Sequence, residues 1–180
     1  QAKLINCMTT VVPGTTQRLG PNACHSTTRI MHSPARIETA MEFIRTIPKH
    51  IGGQRARELA CIFEAVGVEC ICEARPEVTE LAHILNNIEY GLLSAFTDEK
   101  WRICRMFGVD PLRAVHAYTQ SYNAGYGRMG HESKQRPLLT PPQGHLGGHC
   151  VNQNAVMMAP ILKESGLSLP LLNHVAEYNK

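Results

Sequence analysis

Residues 76 to 107 hold no proline after their first position and read as one helix. Val78, Leu81, Leu85, Ile88, Leu92 and Phe96 recur at steps of three and four, the period of a helix with a single apolar stripe. Pro76 suits the first turn, where its missing N–H has no partner to lose, and Gly108 suits the stop. A helix of this length exceeds the globular average, so it bridges two lobes or forms a subunit interface. Whatever else the chain builds must be arranged around that rod.

Ahead of it, strands alternate with helix. Residues 3 to 12 read as a buried strand, Pro13-Gly14-Thr15-Thr16 as a turn opening a short helix, and residues 28 to 32 as a second short strand. Residues 38 to 45 suit one or two helical turns, and Pro48 and Gly52-Gly53 bracket a short extended piece. Residues 54 to 66 form an amphipathic helix with Leu59, Ile62, Phe63 and Val66 inward and Gly67 as its C-cap, and residues 68 to 72 a further strand. Strands separated by helix indicate a parallel α/β layer. That layer is incomplete, because no glycine-rich strand-turn-helix fingerprint precedes it. The character changes at 74/75. After the long helix, Asp110-Pro111 begins another, to about residue 122. Residues 123 to 149 carry six glycines and three prolines and read as a loop. Helices follow near 151 to 165 and 171 to 179.

With 180 residues, 43% of them apolar, the chain can build one domain or one and a half. The net charge of +3 is small and its Lys and Arg residues are scattered, which argues against a nucleic-acid partner. No apolar run approaches the ~18 residues that span a bilayer, and no secretory leader is visible. Seven cysteines at irregular spacing suggest free thiols in a reducing compartment, so a cytoplasmic location is expected. Cys70 and Cys72 would share one face of a strand and read as core.

The richest chemistry lies in Gly144-His145-Leu146-Gly147-Gly148-His149-Cys150, which closes the loop and opens a helix. A thiol at a helix N-terminus sits where unpaired N–H groups and the macrodipole favour a thiolate. Gly147 and Gly148 allow a ligand or another backbone to approach closely. Two readings stay open for Cys150, a nucleophile or a buried thiol after a loop. On the long helix Glu80, His83 and Asn87 form a polar line, either a solvated face or one turned into a cleft. In a cleft, an amide could steady an oxyanion and a histidine could move a proton. Tyr122 to Gly130 could wrap a phosphate through Arg128 and backbone amides, or be plain surface loop. His145, His149 and Cys150 lack the second tidy pair of a metal site, and no metal is assigned.

Together these pieces resemble the central part of a UDP-glucose/GDP-mannose dehydrogenase, a nucleotide-sugar 6-dehydrogenase. The nearer branch is the one that oxidises UDP-N-acetylmannosamine or UDP-N-acetylglucosamine. Thr9-Thr10-Val11-Val12-Pro13-Gly14-Thr15-Thr16 resembles the family's S-T-V-P-P-G-T-T turn. His32-Ser33-Pro34-Ala35-Arg36-Ile37 and Ile51-Gly52-Gly53 resemble its S-P-E-R-V and V-G-G blocks. Thr79-Glu80-Leu81-Ala82-His83-Ile84-Leu85-Asn86-Asn87 resembles T-E-L-A-K-L-L-E-N, and residues 144 to 154 resemble G-x-G-G-H-C-I-P-V-D.

The resemblance implies a partial Rossmann-like parallel sheet (1–74). A long helix joins it to a helical domain like the C-terminal domain of 6-phosphogluconate dehydrogenase (75–180), with a homodimer around the 76–107 helix. It implies NAD-dependent oxidation of a C6 alcohol to a carboxylate through a cysteine thiohemiacetal and thioester. Cys150 falls on the nucleophile and Asn87 on the oxyanion-side asparagine, with His83 beside it. Arg36, Gly147, Gly148 and Asn154 fall on the substrate side, and Thr9 and Thr10 on the cofactor side. Three positions depart from the family. Its catalytic Glu is Ala35 here, its Lys is His83, and its Asp is Asn154, which takes no proton at physiological pH. The G-x-G-Y-x-G dinucleotide fingerprint is absent, and the chain stops about where a second α/β domain would begin. The expectation is therefore a truncated or divergent enzyme, weak or inactive alone, with a second chain supplying the NAD-binding half. The alternative is a non-catalytic dimerising or sugar-nucleotide-binding relic.

Overall fold

The computed structural model describes residues 3–27, 45–142, 146, 148–167 and 169–178, with the backbone alone at 148–150 and 152. These fall into two compact units, 1–86 and 87–180, and the division runs through the long helix.

In the first unit four strands form one sheet in the spatial order β1 (Ile5–Cys7), β2 (Ala23–Ser26), β3 (Lys49–Gly52), β4 (Cys70–Glu73). β1 and β2 are parallel and joined through the single-turn helix α1 (Thr15–Arg18). β3 and β4 are parallel and joined through α2 (Ala56–Glu64). The middle pair, β2 and β3, is antiparallel, with His25 opposite Gly52 and Ser26 opposite Ile51. The sheet is thus a mostly parallel, partial Rossmann-like layer, and the wholly parallel sheet expected from the alternation is corrected at this one pair. Thr27 secures the reversal. Its N–H donates to the His50 carbonyl at 2.9 Å, and its hydroxyl oxygen accepts from the His50 N–H at 3.1 Å. Its carbonyl accepts from Lys49 Nζ at 2.8 Å.

The strand expected over residues 3 to 12 pairs only at Ile5–Cys7. The one expected over residues 28 to 32 lies outside the described residues, as does most of the helical piece over 38 to 45. β2 was hidden because all four of its residues are buried while two are polar, so neither alternation nor an apolar run marks it.

The core of this unit gathers Cys24 and Ile51 from the sheet with Ala56, Leu59 and Ala60 from α2, and Leu4, Phe63 and Cys70 close around them. Ile62 and Val66, expected inward, are exposed. The small Ala56 and Ala60 let α2 lie close to the sheet, and that choice of face turns the larger aliphatics out. Gly67, at φ +81°, closes the helix as expected. Cys72, expected in the core with Cys70, is exposed on β4.

The opposite face of the sheet receives the start of α3 (Pro76–Met106). Side chains alternate along a strand, so His25 and the Cβ position of Gly52 point away from Cys24 and Ile51 and towards that helix. The span of α3, its Pro76 start and its stop at Gly108 (φ +66°) agree with expectation. Its buried face does not. Val78, Leu85 and Phe96 of the apolar stripe are exposed, whereas Thr79, Glu80, Ile84, Ile88, Gly91 and Ala95 are buried. Close approach over small side chains, not hydrophobicity alone, selects the inward face.

In the second unit α3 is followed by a π-helical stretch (Leu112–Ala117) and α4 (Tyr118–Arg128). A 3-10 turn (Glu132–Lys134), α5 (Gly148–Glu164) and α6 (Pro170–Glu177) complete it. The glycine-rich loop therefore starts later than composition suggests, because α4 runs on through Gly125 and Gly127. Its end is held from outside. Asn123 Nδ2 donates to the Arg136 carbonyl at 2.7 Å, and Asn123 Oδ1 accepts the Arg136 N–H at 2.8 Å. The Arg136 guanidinium covers the Tyr122 ring, which packs on Tyr126. The amides of this segment are spent on helix, which removes the phosphate-wrapping reading of Tyr122, Arg128 and their neighbours. The six described cysteines are free, and among the described residues no helix is long and apolar enough to cross a membrane.

Candidate functional site

Two adjacent residues of α3, Thr79 and Glu80, organise the loop that follows β1. Glu80 is 1% exposed, so the solvated-face reading fails for it. Its carboxylate accepts the Gly14 N–H at 2.6 Å and the Thr16 N–H at 2.9 Å. Gly14 has φ +86°, a left-handed conformation in which its N–H and that of Thr16 turn to one side. At the other end of the loop, His25 is 1% exposed, with Nδ1 2.9 Å from Thr79 Oγ1 and Nε2 3.2 Å from the Thr9 carbonyl. Thr9 lies at the second anchor and Thr10 between the two, Thr9 exposed and Thr10 half-buried.

The proton count around His25 is tight. The Thr9 carbonyl can only accept, so Nε2 carries the proton of a neutral ring. The single Thr79 hydroxyl proton must then serve either Nδ1 or the Pro76 carbonyl, 2.9 Å away. Burial pushes the imidazole below its ordinary range, against the opposing pull of the Thr9 carbonyl and the Glu80 charge. A histidine held neutral in the fold binds fewer protons than it does unfolded. Its contribution to stability is therefore present above the unfolded value of about 6.5 and is lost as pH falls through it. Urea denaturation between pH 7.5 and 5 should show stability falling with pH, and His25→Gln should remove that component of the slope.

In the second unit, Asn87 is half-buried on α3, and Gly91 follows it by one turn on the same side. A Cβ built on Gly91 would lie 2.3 Å from Val151 Cγ1 and 3.1 Å from Val175 Cγ1. The bare backbone at Gly91 is thus where Val151 in the first turn of α5 and Val175 in the second turn of α6 rest on α3. Val151 directly follows Cys150, so the helical turn that carries Cys150 rests on α3 at Gly91, one turn on from Asn87. Cys150 does lie in the first turn of a helix, as expected, since α5 begins at Gly148. Its side chain, and that of His149, lie outside the described residues. One turn further on, Asn154 is 2% exposed and its side-chain Nδ2 has no partner among the described residues. Helical side chains lean towards the N-terminus, so Asn154 leans over the Cys150 turn. A buried amide N–H without an acceptor costs about 1–3 kcal/mol, which an incoming ligand oxygen would relieve.

Of the residues singled out by sequence, Arg36, Ala35, His145 and Gly147 lie outside the described residues. His83 is half-buried on α3. Gly91 and His25 were not singled out, and Gly52 and Thr79 were named only within blocks that resemble the family, with no role of their own. The glycine inside a helical pattern at 91 is a sequence signal; His25 has none. Among the described residues no cluster of His, Cys, Asp or Glu could hold a metal ion. The glycine turn at Gly14, which opens α1, has its Gly14 and Thr16 N–H groups filled by Glu80 and so offers no cradle for the phosphates of a dinucleotide. Thr9 and Thr10 can supply hydroxyl contacts at the carboxyl end of β1, and no more.

No protein-family model and no curated protein matches the chain. Solved structures do. A UDP-D-ManNAc dehydrogenase from Pyrococcus horikoshii superposes over 98% of this chain at TM-score 0.66 and 19% identity. The chain shares the fold of UDP-sugar dehydrogenases. A UDP-glucose dehydrogenase from Pyrobaculum islandicum matches over 98% of this chain at TM-score 0.68 and 18% identity. The chain spans 41% and 40% of the length of these two proteins. A 3-hydroxyisobutyrate dehydrogenase from Mycobacterium tuberculosis matches over 86% of this chain and 54% of its own, at TM-score 0.52 and 11% identity. The fold is therefore shared by dehydrogenases whose names give different substrates, and the choice among them rests on the site.

Proposed function

We propose that this chain carries the thiol-bearing part of a nucleotide-sugar 6-dehydrogenase. The reaction is oxidation of the C6 alcohol of a UDP-hexose or UDP-hexosamine to the carboxylate, with NAD accepting the hydrides. The observation that supports the reading is the seat of Val151, the residue after Cys150, on Gly91, one turn of α3 from Asn87. In this reading the Cys150 thiolate adds to the C6 aldehyde to give a thiohemiacetal, and oxidation yields a thioester that water cleaves. Asn87 and the unpartnered amide of Asn154 donate to the oxyanion. In this reading His83 is the third catalytic side chain, and Arg36, Gly147 and Gly148 bind the sugar nucleotide. Thr9 and Thr10 touch the cofactor. Its phosphates are assigned to a glycine fingerprint carried elsewhere, on a second chain. Exposed Leu85, Tyr90, Phe96, Ile103 and Met106 on α3 support a homodimer through that helix.

Asn154 also favours a second reading. An amide in place of a carboxylate can donate to a ligand but cannot take a proton from thiol or water. With Ala35 and His83 also replacing ionised groups, the chain would bind a sugar nucleotide without turning it over.

Two measurements separate these readings. Iodoacetamide should label Cys150 at least about tenfold faster than exposed Cys61 and Cys72, as a helix N-terminal thiolate would be. Equal, slow labelling would remove the nucleophile. NADH appearance with a panel of UDP-sugars distinguishes the enzyme from a binding protein, which would show affinity by calorimetry and no NADH.

A further inference from the structure

We propose that Glu80 is a positioning residue, an internal carboxylate that occupies the anion seat of the Gly14 turn and so holds Thr9 and Thr10 in the conformation that meets a ligand. The ligand half of this statement rests on the reading of Thr9 and Thr10 as cofactor contacts. The rest stands on geometry alone.

A solvated glutamate on an exposed helix face would show two free oxygens. Glu80 instead is 1% exposed and divides its two oxygens between Gly14 N–H and Thr16 N–H, more than sixty residues away in sequence. Within the loop, Thr15 closes a turn on the Val12 carbonyl through both its N–H and its hydroxyl, at 3.0 and 2.6 Å. The loop therefore leaves β1 at Cys7, is caught at Thr9 by His25 of β2, and is caught again at Gly14 by Glu80 of α3. The first catch is itself braced from α3, because the His25 ring bonds Thr79, and that turn of α3 is seated on Gly52. A loop held at Thr9 by the sheet and at Gly14 by the helix keeps Thr9 and Thr10 in one place. The single-turn α1 could not do this, being too short to hold its own first turn without outside acceptors for its N–H groups.

The carboxylate is what distinguishes positioning from packing. Glu80→Gln keeps the volume but replaces one charged acceptor by a donor that would face an N–H. Glu80→Ala empties the seat and leaves two N–H groups facing a space that a small carboxylate can enter.

The test uses amide hydrogen exchange and NADH fluorescence titration on the full chain. In Glu80→Gln, the Gly14 and Thr16 amides should exchange at least about tenfold faster, while amides in α2 keep their rates. In Glu80→Ala, acetate should restore protection of those two amides with saturation, and chloride at equal ionic strength should not. If the wild type binds NADH, Glu80→Gln should weaken it about tenfold, with Glu80→Asp intermediate. Wild-type exchange rates in Glu80→Gln, or equal effects of acetate and chloride, would overturn the proposal. So would unchanged NADH affinity in Glu80→Gln. A wild type with no NADH affinity would instead sink the cofactor reading of Thr9 and Thr10. The exchange and acetate measurements would still decide whether Glu80 sets the loop.

Discussion

Alanine at Gly52 should destabilise the first unit by about 3 kcal/mol, at the upper end of what overpacking a well-filled site costs. The added Cβ would lie 2.7 Å from Pro76 Cα, 2.7 Å from Thr79 Oγ1 and 2.8 Å from the Arg75 carbonyl oxygen. Two of those three atoms are backbone and cannot swing aside. Gly52 itself sits in β3, between β2 and β4, so the strand cannot retreat either. Its backbone conformation is open to any residue, which makes space the whole cause. At this chain length the unfolding temperature should fall by about 9 °C. Thr79→Ala in the same background should recover only part of the loss, because the two backbone clashes remain. A loss below about 0.5 kcal/mol would mean that α3 is not seated on the sheet, since ordinary surface changes stay within that range. The effect would reach further than stability. The displaced turn carries Thr79 and Glu80, so the anchor of Gly14 and Thr16, and the Thr79 partner of His25, would move with it.

The same residue shows how much of the molecule its sequence reveals. The long helix was legible because a proline start, a glycine stop and an uninterrupted period all agree. Its rotation was not. The apolar stripe at Val78, Leu85 and Phe96 points outward, and the face that is buried carries Thr79, Glu80 and Gly91. Periodicity reports that a helix has two faces. It does not report which one a neighbour's bare glycine admits, because the neighbour lies far away in the chain. β2 was missed for a related reason, since a strand covered on both faces and carrying a buried, hydrogen-bonded histidine has no pattern of its own. The division into units falls at 86/87, within α3, where the change of composition at 74/75 marks only the foot of that helix.

The candidate site was legible in part. The thiol, its helix N-terminus and the asparagine on α3 could be found by residue type and spacing. Glu80 was read with His83 and Asn87 as one polar line, but the fold separates their roles by burial, placing Glu80 inside and leaving the other two half-buried. The extent of the glycine-rich loop was overestimated, because Asn123 and Arg136 hold the last turn of α4 by contacts that no local propensity contains.

Gly91→Ala should act on the other unit and more directly on the proposed chemistry. In an exposed helix this change would gain about 1 kcal/mol from propensity. Here the new methyl would meet Val151 Cγ1 at 2.3 Å and Val175 Cγ1 at 3.1 Å. Valine in a helix has one strongly preferred rotamer, so neither side chain can turn away cheaply. The helices themselves must part, and the net loss should be about 2 kcal/mol after the propensity gain is counted. Because Val151 is bonded to Cys150, the first turn of α5 must shift away from Asn87. Iodoacetamide labelling of Cys150 should therefore change by about tenfold or more, while Cys61 and Cys72 in the other unit keep their rates. Val151→Ala removes the methyl groups that clash. The double variant should recover most of both losses, with a coupling energy of about 1 kcal/mol or more. Additive losses, or labelling of Cys150 that ignores Gly91, would show that the glycine seat does not present the thiol.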